Sequence, residues 1–198
     1  MWIPTEGACY PAHEHMAVGS AIYVLQVLVG CEQQFARLAG QRLRTNGIDD
    51  AAIHWPRRAL QIRRSGRTTE TVTPIFPGYL FLEVRARLSA VLDAVLRIPG
   101  LMRVLPETSR ATPLDSYDLE LIRHLLGFGA VIERSRVSLA SGCRIVVHDG
   151  PLKGMEGRIV KVDARKKRAK VRLDLYGDAF LVDFGIDVLG SDRQRSVA

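Results

Sequence analysis

The chain has 198 residues, with 28 Lys+Arg against 21 Asp+Glu and a formal net charge of +7. At 47% apolar it is too hydrophobic for a disordered chain and of a size for one or two domains. Three widely spaced cysteines exclude a disulfide scaffold and fit a reducing compartment, and no apolar stretch approaches the ~20 residues that span a bilayer.

Residues 1–20 include Met1–Met16, a stretch without period, basic start or continuous apolar run, so they read as a disordered leader rather than a signal peptide. Cys9, His13 and His15 in that leader lack a fourth ligand, and no metal site is expected. Ile22–Val29 is apolar almost throughout and rich in β-branched residues, the pattern of a strand covered on both faces. Glu32–Thr45 places Phe35, Leu38, Ala39 and Leu43 at helical spacing, with Asn46-Gly47 as the stop. Ile53–Arg63 is extended and broken by Pro56. Arg64–Arg67 supplies a turn, and Thr68–Val72 begins the return strand. Tyr79–Val84 is a further apolar strand, in which Leu80 and Phe81 must point to opposite faces. Leu88–Ile98 is a helix closed by Pro99-Gly100, and Leu101–Leu105 a short strand. A last helix is capped by Asp115 and carries Leu119, Ile122, Leu125 and Leu126 on one side. The order β-α-β-β-α-β with a trailing helix is that of a ferredoxin-like α+β domain over residues 21–129.

Residues 130–140 have no clear period and read as a linker, long enough at ~40 Å extended for a docked or a free second domain. From residue 141 the pattern changes to five short strands: Arg144–Val147, Gly154–Glu156, Arg158–Val162, Ala169–Leu175 and Ala179–Phe184. Such a run fits a small barrel over residues 141–190, followed by a loose tail at 191–198. The strands Arg158–Val162 and Lys170–Leu175 alternate and are β-branched, with no sign of a helical alternative.

Charge is concentrated in that barrel. All five lysines lie between Lys153 and Lys170, and Lys161–Arg172 holds seven cations against Asp163 alone. A basic block inside a folded hairpin points to a nucleic-acid partner, with a solvated surface loop as the alternative. Lys153, Arg165, Lys166, Lys167, Arg168 and Lys170 are the candidate RNA phosphate contacts. About five such contacts on a single strand would give a log K against log salt slope near −3 to −4. No catalytic pattern accompanies them. Gly150–Gly154 lacks the spacing and hydroxyl of a phosphate-binding loop, Cys31 has no neighbouring His, and His54 and His124 stand alone. Neither an enzyme nor a cofactor is expected.

Phe76-Pro77-Gly78-Tyr79 followed by Leu80–Glu83 resembles the signature of the NusG family of transcription elongation factors. Ile22-Tyr23-Val24, Ile98–Leu101, Thr112-Pro113-Leu114 and the KOW-like Asp149–Gly157 follow in the family's order, so the resemblance spans residues 22–190. It implies a NusG N-terminal (NGN) domain that docks on the clamp helices of the RNA polymerase largest subunit. It also implies a small SH3-like KOW β-barrel that recruits Rho, a ribosomal protein or RNA. Three branches of the family compete: a housekeeping factor, a specialist whose second domain refolds, and the LoaP-type antiterminators. Ile132–Ser135, Asp163–Val171 and Val182–Ile186 are most similar to the last, which implies a barrel that binds a hairpin in nascent leader RNA. The stated alternatives are a housekeeping factor working with Rho and the ribosome, and a KOW-type ribosomal RNA-binding protein.

For polymerase binding the resemblance singles out Phe76, Pro77 and Tyr79, with Trp55 and Pro56 extending the patch; rigid rings lose little entropy and make good interface anchors. The alternative is that these rings are core. Arg37, Arg42 and Arg64 are candidates for contact with non-template DNA. The implied setting is the bacterial cytoplasm at the transcribing nucleoid, with no membrane partner and a monomeric chain.

Overall fold

The computed structural model describes residues 19–64, 66–85, 87–140 and 144–189. The leader's first eighteen residues, with Cys9, His13 and His15, and the tail at 191–198 lie outside them. The chain runs β1 (Ala21–Val27), α1 (Glu32–Thr45), β2 (Ala51–His54), β3 (Arg57–Arg64), β4 (Arg67–Pro74), β5 (Tyr79–Val84), α2 (Leu88–Val95), β6 (Leu101–Val104) and α3 (Ser116–Leu126). It continues with β7 (Val131–Ile132), β8 (Ser135–Ala140), β9 (Arg144–Asp149), β10 (Ile159–Asp163), β11 (Arg168–Leu175) and β12 (Asp178–Val188).

The first sheet has the order β2-β5-β1-β6, with β1 antiparallel to both neighbours. Alternation along β1 and β5 divides its side chains between two buried layers. Leu25, Val27, Leu80 and Leu82 face Phe35, Ala39 and Leu43 of α1 and Val91 and Val95 of α2. Ile22, Val24 and Phe81 face the other way, towards Leu121, Ile122 and Leu125 of α3. Leu80 and Phe81 thus do point to opposite faces, but both are fully buried, because each face has its own cover. Asp115 caps α3 by accepting the Asp118 N–H at 2.8 Å.

The β3–β4 hairpin leaves this sheet and is paired along its whole length, Arg57 to Pro74 through Arg64 to Arg67. On its other edge β3 takes β7 in parallel. The barrel sheet has the order β10-β11-β12-β8-β9, with β12 parallel to β8.

Two expectations need correction. Residues 130–140 are not a bare linker: β7 joins the hairpin sheet and β8 is an internal strand of the barrel sheet. Gly154–Glu156 is not a strand but a turn leading into a 3-10 turn at Glu156–Arg158; Gly154 sits at φ +81°, where the chain reverses. The fifth strand of the barrel is β8. One apolar core runs from the α3 side of the first sheet into the barrel, joining Phe76, Phe81 and Ile122 to Val171, Leu173 and Phe184.

Candidate partner-binding surfaces

The loop before β5 is held by backbone and one carboxylate. Glu32, in the first turn of α1 and 4% exposed, accepts the Gly30 N–H at 2.7 Å and the Gly78 N–H at 2.8 Å. Val27 N–H donates to the Gly78 carbonyl at 2.8 Å. Gly78 has φ +80°, and a Cβ there would lie 3.2 Å from the Val27 carbonyl, so the position requires glycine. Ile75 N–H donates to the Pro56 carbonyl at 3.1 Å, which ties the Trp55-Pro56 segment to the residue before Phe76. The Arg57 guanidinium lies 4.8 Å over the Trp55 ring.

This fixed loop is not a free aromatic surface. Phe76 is 1% exposed; it meets Phe81 edge-to-face at 5.8 Å on the sheet and Phe180 of the barrel at 5.4 Å. Phe180 also meets Tyr79 at 5.9 Å. Tyr79 and Trp55 are partly buried, Pro56 is buried and Pro77 is exposed. Of the rings expected to anchor a partner, Phe76 and Tyr79 therefore meet a ring of the barrel, while Trp55 lies under Arg57.

The barrel is held over α3 and β3 by a polar seam around those rings. Tyr176 N–H donates to Asp118 Oδ2 at 2.8 Å, and its hydroxyl to the Thr112 carbonyl at 3.1 Å. Burial raises the Asp118 carboxyl above its ordinary value, opposed by the Tyr176 N–H. Arg158 stacks on the Tyr117 ring at 5.0 Å and donates to its hydroxyl at 2.6 Å. His124 Nε2 donates to the Pro151 carbonyl at 2.7 Å. Across β3, Arg168 donates to the Gln61 carbonyl at 3.2 Å. Arg168 and Lys170 pair with Asp183 at 3.6 and 3.0 Å. Burial pushes the Arg58 guanidinium down to about 10, with Asp183 acting against the shift and Arg168 adding to it. Gly185 lies where β12 crosses β3: a Cβ there would fall 2.9 Å from the Ala59 carbonyl.

The basic residues divide accordingly. Arg165, Lys166 and Lys167 occupy the exposed β10–β11 turn. Lys166 N–H donates to Asp163 Oδ1 at 2.9 Å, and this bond holds the Asp163 carboxyl below its ordinary value. Arg168 and Lys170 point from β11 to the Asp183 side. Lys153 sits on the exposed turn after β9, separated from the β10–β11 turn by β12 and β8. The six candidate RNA contacts thus form a turn, a seam group and an outlier. Arg37 and Arg42 are exposed on α1, on the helix layer of the first sheet. The Arg64 backbone lies at the hairpin tip opposite Arg67, so the candidate DNA contacts are not brought together.

Sequence reasoning missed the seam: Arg58, Asp118, Tyr176, Phe180, Asp183 and Gly185. One signal was available, since an isolated glycine inside a strand marks close approach of another backbone.

A family model described as transcription termination factor nusG matches residues 21–123, just over half of the 198-residue chain. The chain belongs to the NusG family. Among curated relatives, the transcription termination/antitermination protein NusG of Vibrio cholerae is 24% identical over 164 residues, covering 81% of this chain and 90% of that protein. Its Streptococcus pyogenes counterpart is 27% identical over 159 residues, covering 78% and 87%. A solved structure described as "Domain interaction in Thermotoga maritima NusG" superposes with a TM-score of 0.55 at 19% identity, covering 84% of this chain and 93% of that one. That likeness supports the NusG-like α+β fold read from the sequence.

Proposed function

We propose that this NusG-family chain is a transcription antitermination factor that docks on the clamp helices of RNA polymerase through Phe76, Pro77 and Tyr79, flanked by Trp55 and Pro56, and binds a nascent RNA hairpin with its barrel. The observation that carries the docking reading is the ring group Phe76–Phe180–Tyr79. It is a rigid aromatic surface whose cover is one ring on another domain, a ring that a partner's apolar side chain can replace. The barrel as placed competes with polymerase for this surface, so docking requires the barrel to leave. Exposed Arg165, Lys166 and Lys167 on one turn support the RNA part of the reading.

The test is polymerase capture by the full chain. Tyr79→Ala is expected to weaken capture at least tenfold. Phe180→Ala is expected to strengthen it by uncovering Phe76. Unchanged capture in both variants removes the docking reading.

A second reading rests on Val160 and Leu181, each 60% exposed on the barrel. They fit a protein partner there, as in a housekeeping factor working with Rho or the ribosome. Stimulated Rho-dependent release, without read-through of terminators, favours that role.

A further inference from the structure

We propose that RNA phosphates and strand β3 compete for one face of the barrel, so that RNA capture and release of the barrel from the polymerase-docking rings are a single coupled event. The inference rests on the RNA-binding reading above.

The pairing register defines the face. Outward-pointing residues of β10, β11 and β12 line up as Asp163–Arg168–Gly185 and, one row on, as Lys161–Lys170–Asp183. The first row ends at the β10–β11 turn with Arg165, Lys166 and Lys167. The same row ends under β3 at Gly185, against the Ala59 carbonyl. Arg168 therefore belongs to both surfaces: its guanidinium donates to Gln61 of β3 and pairs with Asp183, whereas a phosphate track along the basic turn would take it outward. It cannot hold both partners at once.

The seam is also poorly satisfied. Arg58, Arg168 and Lys170 gather around Asp183, more positive charge than one carboxylate offsets. The Nε atoms of Arg58 and Arg168 are buried with no hydrogen-bond partner. Buried donors left unpaired disfavour the closed arrangement, and a polyanion can take over the cations that Asp183 now serves. Binding linkage then makes the coupling reciprocal: what RNA gains by opening the seam, polymerase docking gains from RNA.

Two substitutions open the seam while keeping Arg168, Lys170 and the cations of the basic turn. Gly185→Val places a side chain 2.9 Å from the Ala59 carbonyl and 2.5 Å from Arg134 Cγ, so it pushes on β3 and displaces the Arg134 side chain as well. Phe180→Ala removes the ring over Phe76.

The experiment titrates a fluorescein-labelled RNA stem-loop of about 20 nucleotides into the full-length protein and both variants, reading anisotropy, with the fold of each checked by circular dichroism. Hydrogen exchange is followed in wild type with and without the RNA. If the open form is about one-tenth of the wild-type population, both variants should bind about tenfold tighter than wild type. RNA should also speed exchange in the peptide containing Tyr176, whose amide is bonded to Asp118 across the seam. Equal affinity in all three proteins with unchanged exchange overturns the competition and leaves RNA binding standing. No RNA binding by any of them overturns the RNA-binding reading as well. If neither variant folds, exchange in wild type decides alone: acceleration supports the competition, and protection or no change overturns it.

Discussion

The two faces of the sheet β2-β5-β1-β6 are covered in different ways. One carries α1 and α2, local helices whose contacts to it are aliphatic side chains and Phe35. The other carries α3 and, beyond it, a barrel held by rings, arginines and single hydrogen bonds. An aliphatic layer built by neighbouring elements has nothing to exchange it for, and separating it exposes apolar surface to water. A layer of rings and charge pairs has ready substitutes in another protein or a nucleic acid. On the proposed reading the first face is a permanent core, and the barrel's share of the second face is the separable part.

The comparison breaks most sharply on the helix side. Phe35→Ala should cost about 3–5 kcal/mol in urea unfolding, because a fully buried ring leaves a cavity that two packed helices cannot close. Phe180→Ala should cost less, about 1–3 kcal/mol for two edge-to-face contacts, yet raise the radius of gyration in solution scattering as the barrel moves off. A similar loss from both substitutions, with no expansion, would erase the distinction between the faces.

A smaller effect is expected at Glu83, which sits on the second face. Its carboxylate accepts from His54 Nε2 at 2.9 Å, and that bond holds its pKa below the ordinary value, with Ser20, His54 and Arg85 adding to the effect. A depressed carboxylate stabilises the fold above its unfolded pKa, and the contribution is lost as pH falls through the folded value. Glu83→Gln should therefore lower thermal stability at pH 7, by about 1–2 kcal/mol, and converge with wild type in acid.

Least costly to the fold is the basic turn. Lys166→Ala and Lys167→Ala should change stability by no more than about 0.5 kcal/mol. On single-stranded RNA each should still reduce the salt slope of binding by about 0.7. Because RNA capture frees Arg168 and Lys170 from Asp183, wild type should show the slope of about −3 to −4 expected from five cations, and a slope of about −2, for the three turn cations alone, would mean the seam stays closed in the complex.

Elements built from local periodicity were legible in the sequence: β1, α1, β5 and the Asp115-capped α3. β8 was not, although Val137 and Leu139 alternate with polar residues. Its place depends on a parallel partner, β12, some fifty residues later, and Arg134 and Arg136 disguise the pattern. Gly154–Glu156 looked like a strand because Met155 is apolar; Met155 is buried from a turn instead. The expected patch is split: Phe76 and Tyr79 meet Phe180, Pro56 is hydrogen-bonded to Ile75, and Trp55 packs with the helix-side core. The cover over Phe76 was not legible, because nothing near it in sequence names Phe180. Linker length alone allowed both arrangements.

The junction between β7 and β8 has a kinetic consequence. β7 belongs to the hairpin sheet and β8 to the barrel, and only Glu133 and Arg134 lie between them. Two extended residues reach about 7 Å. On so short a leash a released barrel stays at an effective concentration in the millimolar range or above beside the surface it has left. Re-closing then outpaces encounter with any dilute competitor, so a partner must hold the surface continuously to keep the barrel away, and its departure resets the molecule without any further signal.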